Sequence, residues 1–183
     1  MVANEFEDVE LLYSSIRLGG EVADVIIVPT KFGLHPRPAD PRRPMTGRFG
    51  TTVPLLVFRE GERHVIKELS ELRVDDIDAI VIPGGFSPDY LRRLPDVSNF
   101  VREAYNKGKL IAAICHGPWV LISAGLVKGK RIAGVIAIKD DIINAGAMYE
   151  DAAVVRDENT MTSRTPDDLS EFCNAIIDAL SSH

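Results

Sequence analysis

An apolar run, Leu110-Ile111-Ala112-Ala113-Ile114, ends at Cys115-His116, and Gly117-Pro118 then opens a helical pattern. Strand, sharp turn and helix in this order outline a nucleophile elbow, which lifts a reactive side chain above the end of a sheet strand. A thiol at such a turn faces unpaired backbone N–H groups and the positive end of the helix dipole. Both favour thiolate, the nucleophilic form of cysteine. Cys115 is therefore the candidate nucleophile. His116, next in the chain, is a candidate base or proton carrier, with a packed histidine that shapes the elbow as the alternative.

Pro83-Gly84-Gly85 follows another apolar run, Asp78-Ala79-Ile80-Val81-Ile82. The amides of Gly84 and Gly85 carry no side-chain obstruction, and with the amide of His116 they form a candidate oxyanion site. Glu7 stands three residues after Asn4. It either completes a capping box or, if buried at the active edge, meets the Cys115 sulfur, and the residues alone favour the cap. Asp89 either complements the dipole of a short helix opening at Ser87-Pro88 or orients His116. Cys173 falls on an apolar helical stripe and reads as core. His35, His64 and His183 lack partners at ligand spacing, and the chain has no phosphate-binding glycine loop. Neither a metal nor an organic cofactor is expected.

The elements that must position these groups are legible from periodicity. Asn4 predicts a helix start, with Val9, Leu12, Tyr13 and Ile16 as its apolar stripe and Gly19-Gly20 as its end. Asp24 to Val28 predicts a short strand stopped by Pro29. Residues 33–50 show no period and carry prolines at 36, 38, 41 and 44, which predicts an ordered excursion or loop. Val53 to Phe58 and Arg63 to Lys67 flank Glu60-Gly61 as a hairpin. Asp96 predicts the cap of a helix burying Val97, Phe100, Val101, Ala104 and Tyr105. Arg131 to Ile138, Ala152 to Val155 and Thr160 to Ser163 predict strands. Thr165-Pro166 opens a final helix with Leu169, Phe172, Cys173, Ile176, Ile177 and Leu180 inward. Alternating short strands and amphipathic helices predict an α/β sandwich on a mostly parallel sheet, with functional groups at the carboxyl ends of its strands.

The chain has 183 residues, 45% of them hydrophobic and 26% charged, and a net charge of −6. One domain, 1–183, is expected. The acidic balance argues against nucleic acid as a partner. No apolar run reaches the length of a membrane span, and the first residues lack the pattern of a signal peptide. Two cysteines make no disulfide framework, so a cytoplasmic location is expected.

Four separated segments, Asn4-Glu5-Phe6-Glu7-Asp8-Val9-Glu10, Pro83-Gly84-Gly85, Ile114-Cys115-His116-Gly117-Pro118 and Ile138 to Gly146, resemble the PfpI-type intracellular protease family. That family stands with the parkinsonism-associated deglycases and is related to class I glutamine amidotransferases. The resemblance implies a flavodoxin-like fold with Cys115 as nucleophile. It turns Glu7 from cap to partner of the thiol and gives the oxyanion site to the Gly85 and His116 amides. It also implies that an acid at Asp89 completes the site of a neighbouring subunit in a homo-oligomer, a dimer or hexamer. Relatives carry a full strand before the segment beginning Ala3, where only Met1-Val2 stand here. The expectation is that upstream residues, Asp24 to Val28 or a partner's strand fill that slot. Val135 stands where some protease-like members carry Tyr, and residues 31–64 are longer than in the shortest relatives.

The resemblance implies a cysteine enzyme for small reactive aldehydes, of glyoxalase III or deglycase type, with a peptidase or amidase using Cys115, His116 and Asp89 as the rival. A redox sensor or chaperone, in which Cys115 is oxidised without turnover, is the reading from another class.

Overall fold

The computed structural model describes residues 1–30, 45–53 and 64–182. In chain order the elements are α1 (Asp8–Glu21), β1 (Val25–Ile27), β2 (Met45–Thr46), β3 (Thr52–Val53), β4 (His64–Ile66), β5 (Ala79–Ile82), α2 (Ser87–Leu91), α3 (Pro95–Asn106), β6 (Leu110–Ile114), α4 (Pro118–Ser123), β7 (Arg131–Ile132), α5 (Lys139–Asn144), β8 (Met148–Tyr149), β9 (Val154–Asp157), β10 (Thr160–Ser163) and α6 (Leu169–Ser181). The fold is flavodoxin-like α/β. Its largest sheet runs β5-β6-β10-β9, with β5, β6 and β10 parallel and only β9 antiparallel. All five residues of β6 are buried, as expected of an apolar run without alternation in a sheet covered on both faces. β1 pairs with β4 in parallel, β7 with β8 in parallel, and β2 with β3 antiparallel.

One side of the core packs α3 and α4 against β5 and β6 through Val97, Val101, Val120 and Leu121. The other packs α6 against β6 and β10 through Phe172, Cys173 and Ile176, with Leu18 of α1 joining them. The apolar stripes of α3 and α6 fall where their 3.6-residue period puts them. That of α1 does not. Val9 and Ile16 are each 44% exposed, and the buried face is Glu10, Leu11, Ser14, Ser15 and Leu18. The large residues point outward because this helix meets α6 through a small contact, Ser14 against Cys173, and turns a carboxyl inward.

Two further expectations are corrected. The predicted strand 131–138 is a strand only at Arg131–Ile132, and residues 136–138 form a tight 3₁₀ turn, since the Val135 amide leaves the sheet pattern to donate to Cys115 O at 3.1 Å. The capping box at Asn4 does not form. Asn4 Oδ1 accepts from the Thr46 amide at 3.1 Å, and Glu7 occupies the N-cap position without a side-chain bond to the helix. Most of the proline-rich stretch and the Glu60-Gly61 turn lie outside the described residues.

Neither Asp24 to Val28 nor any other described segment fills the slot expected for a first strand. β1 instead pairs with β4, and a cleft of about 1030 Å³ separates β1 from β5, lined by Leu11, Ser14 and Leu18 of α1 and by residues 25–28 and 76–81. Met1 and Val2 bridge the cleft at its end. The Val2 amide donates to Val28 O at 3.0 Å, and the Met1 amino group donates to Val81 O at 2.8 Å.

Candidate active site

Cys115 follows the last residue of β6 and precedes α4, and its backbone is left-handed, with φ of +62°. A non-glycine residue pays about 1–2 kcal/mol for that conformation. Several bonds hold it in place. The Cys115 amide donates to Ser163 O of β10 at 3.1 Å, Cys115 O accepts from Val135, and the Gly117 amide returns to Ile114 O at 2.8 Å. The thiol is thereby turned back over the strand ends, where it meets the Pro83–Gly85 loop. A Cβ on Gly84 would stand 2.6 Å from the Cys115 Cβ, and one on Gly85, at φ of +70°, would enter the backbone of residues 5–7. Both positions therefore exclude any side chain.

The amides of Gly85 and His116 both donate toward the Cys115 sulfur. The Gly84 amide is taken: it donates to Glu10 Oε2 at 2.5 Å. The predicted oxyanion group is thus brought together for Gly85 and His116, whereas Gly84 serves the carboxyl. His116 Nδ1 lies 3.3 Å from the sulfur, and its ring leans on Trp119 with centroids 5.0 Å apart. Burial, with a further push from the Arg48 charge, lowers the His116 pKa and favours the neutral imidazole.

The acid at the thiol is Glu10, not Glu7. Glu10 is fully buried, and its carboxyl stands close enough to the sulfur for each group to shift the other's titration. Its Oε1 has no hydrogen-bond partner among the described residues. Burial pushes Glu10 up to about 7, with the Gly84 bond opposing. Burial, then the Glu10 charge, pushes the Cys115 thiol up to about 12, with the Gly85 and His116 amides opposing. Two neighbouring acids in one desolvated site do not both ionise near neutrality, so the thiol keeps its proton while Glu10 titrates. Glu7 lies one helical turn earlier. Its Oε2 accepts from Arg48 Nη1 at 3.3 Å, and its amide donates to Gly84 O. The signal for Glu10 was in the sequence: it stands four residues before Ser14 and eight before Leu18, on the face that is buried.

Asp89 pairs with Arg93, one turn along from α2. Cys173 is fully buried beside Ser14. Two further residues were not anticipated. Asp8 accepts the amides of Phe49 and Thr51 at 2.8 and 2.7 Å, fixing the turn between β2 and β3, and Arg48 on that turn reaches Glu7. Among the described residues no cluster of His, Cys, Asp or Glu has the form of a metal site.

Two outcomes follow from this geometry. Because glycine adopts a left-handed backbone freely, Cys115→Gly should be more stable than Cys115→Ala by about 1 kcal/mol, read from denaturant midpoints. Glu10 is an acid whose pKa rises on folding, so its contribution is present below 4.5 and is lost as pH rises through about 7. Glu10→Gln should remove that component from the pH dependence of stability, read from denaturant midpoints across that range.

Residues 1–179 match the DJ-1/PfpI family. The chain is 37% identical over 178 residues to a protein of Pyrococcus furiosus named deglycase PfpI, covering 97% of this chain and 95% of the relative. It is 40% identical over 172 residues to YraA of Bacillus subtilis, named as a candidate cysteine protease, covering 94% and 90%. Among solved structures, a two-domain protein of Anabaena variabilis with DJ-1/ThiJ/PfpI-like and ferritin-like domains superposes with a TM-score of 0.81 at 36% identity. The match covers 97% of this chain and 46% of that one. On its fold, its elbow and these matches, the chain belongs to the DJ-1/PfpI family.

Proposed function

We propose that the protein is a cofactor-independent cysteine enzyme for reactive carbonyl compounds, acting on α-oxoaldehydes or on the adducts they form with amines. The observation that carries this reading is the convergence of a buried carboxyl and two backbone amides on one half-buried sulfur. The Cys115 thiol adds to the aldehyde carbon: the S–C bond forms, the C=O π bond opens, and the thiol proton, taken by Glu10, ends on the oxygen. The amides of Gly85 and His116 stabilise the negative charge that develops there.

In the resulting hemithioacetal, the hydrogen on the carbon bearing sulfur must move to the neighbouring carbonyl carbon. Removed as a proton, it leaves an enediol; returned one carbon away, it leaves a thioester on Cys115. Glu10, with Oε1 unpartnered and burial holding its pKa near neutrality, is placed to take and return that proton. Water then cleaves the thioester, releasing a hydroxy acid and restoring the thiol. Relatives named as deglycases support the carbonyl chemistry. Asp89 acts as a partner to His116 only if a neighbouring subunit brings it there.

The test is turnover of methylglyoxal, a glycated amino acid and fluorogenic peptides by the purified protein. Methylglyoxal should be converted to lactate. Cys115→Ala and Glu10→Gln should each fall by at least about a hundredfold, while iodoacetamide still alkylates the Cys115 of Glu10→Gln and spares Cys173. Cleavage of peptides with no conversion of the aldehyde would replace this reading with a peptidase.

A further inference from the structure

Arg48 stands beside Glu7, one turn of α1 from the acid at the Cys115 site, and its charge reaches Glu10 and His116. Its amide donates to Phe6 O at 3.0 Å, and the turn that carries it is fixed by Asp8, so its backbone position is set. Phe6 pairs with Gly85, and the Glu7 amide donates to Gly84 O, so the turn abuts the loop that delivers the two amides. The Arg48 side chain is 50% exposed and touches Glu7 by a single nitrogen at 3.3 Å. A guanidinium has five N–H donors in a planar fork suited to a carboxylate. Among the described residues Arg48 holds Glu7 by that one nitrogen and lies over the Phe49 ring at 5.7 Å, which leaves its other N–H donors without a hydrogen-bond acceptor. Arg92 likewise lies over an aromatic ring, that of Trp119, but its Nε also donates to Ser123 Oγ at 3.1 Å.

We propose that Arg48 is a substrate-binding residue that gives the Cys115 site a preference for carbonyl compounds carrying a carboxylate. The inference rests on the carbonyl reading of the site. Addition of the thiol to such a compound leaves the carboxylate unchanged: sulfur bonds to the carbonyl carbon, the proton passes to the carbonyl oxygen, and the carboxylate accepts N–H bonds from Arg48. Glu7 is then the internal anion with which the substrate competes. The positive field of Arg48, which also reaches His116 and Glu10, draws the anion toward the sulfur.

Alkylation of Cys115 in the intact protein tests this without needing turnover. The probes are iodoacetate, an anion, and iodoacetamide, its neutral counterpart, compared as a ratio of rates so that general damage to the site cancels. Arg48→Ala should lower the ratio about three- to fivefold, the scale of a half-exposed ion pair. Arg48→Lys should keep most of it, and Glu7→Gln should raise it. Glyoxylate, an aldehyde acid, should protect Cys115 from iodoacetamide better than glycolaldehyde does, and lose that advantage in Arg48→Ala. An unchanged ratio in Arg48→Ala and Glu7→Gln would overturn the proposal even if methylglyoxal is turned over. A ratio that shifts as expected in a protein inert toward methylglyoxal would instead sink the carbonyl reading and leave the anion site standing.

Discussion

The left-handed turn at Cys115 is the constraint around which this protein is arranged. A residue held in a costly backbone conformation stays there only if its surroundings over-determine it. Here β10 holds its amide, residue 135 holds its carbonyl, and β6 anchors the strand beneath it in a fully buried position. The turn then aims one sulfur at one loop. Because Gly84 touches the cysteine side chain itself, the loop approaches close enough for its amides to matter. Burial, which sets the acidities of both Cys115 and Glu10, follows from that same close approach.

The segment from Glu5 to Glu10 is the second member of the arrangement, and each of its polar groups has a separate task. Glu5 O accepts the Phe86 amide at 2.8 Å, Glu7 meets Arg48, Asp8 grips the turn between β2 and β3, and Glu10 enters the site. Glu5 itself is left-handed, with φ of +59°, which bends the chain from the end of the cleft into α1. So acidic a run looks like a solvated helix start, yet three of its residues, Glu7, Asp8 and Glu10, are buried.

What the sequence disclosed follows from how local the determining forces are. The elbow was legible because an apolar strand, a glycine-proline helix start and a cysteine between them lie within nine residues. The final helix was legible because its core face repeats at 3.6. The assignment of the acid failed for a definable reason. The pattern of large apolar residues in α1 gives one phase, and the fold uses another, in which serines and a glutamate face inward. The spacing of Glu10, Ser14 and Leu18 carries that phase, but the large apolar residues outweigh it until the tertiary partners, Cys173 and Cys115, are seen. Arg48 was hidden for a related reason: it lies in an aperiodic stretch, and its position comes from bonds to Phe6 and Asp8 that are distant in sequence. The cap at Asn4 was lost to the same competition, since the Thr46 amide claimed its side chain.

The contact between Ser14 and Cys173 has a consequence for the depth at which the acid enters the site. Glu10 and Ser14 lie one turn apart on the buried face of α1. The seat of α1 on α6 therefore also sets how far the Glu10 carboxyl reaches toward the sulfur. A larger side chain at position 14 or 173 would push the helix outward and draw the acid away, although neither residue touches the reacting atoms.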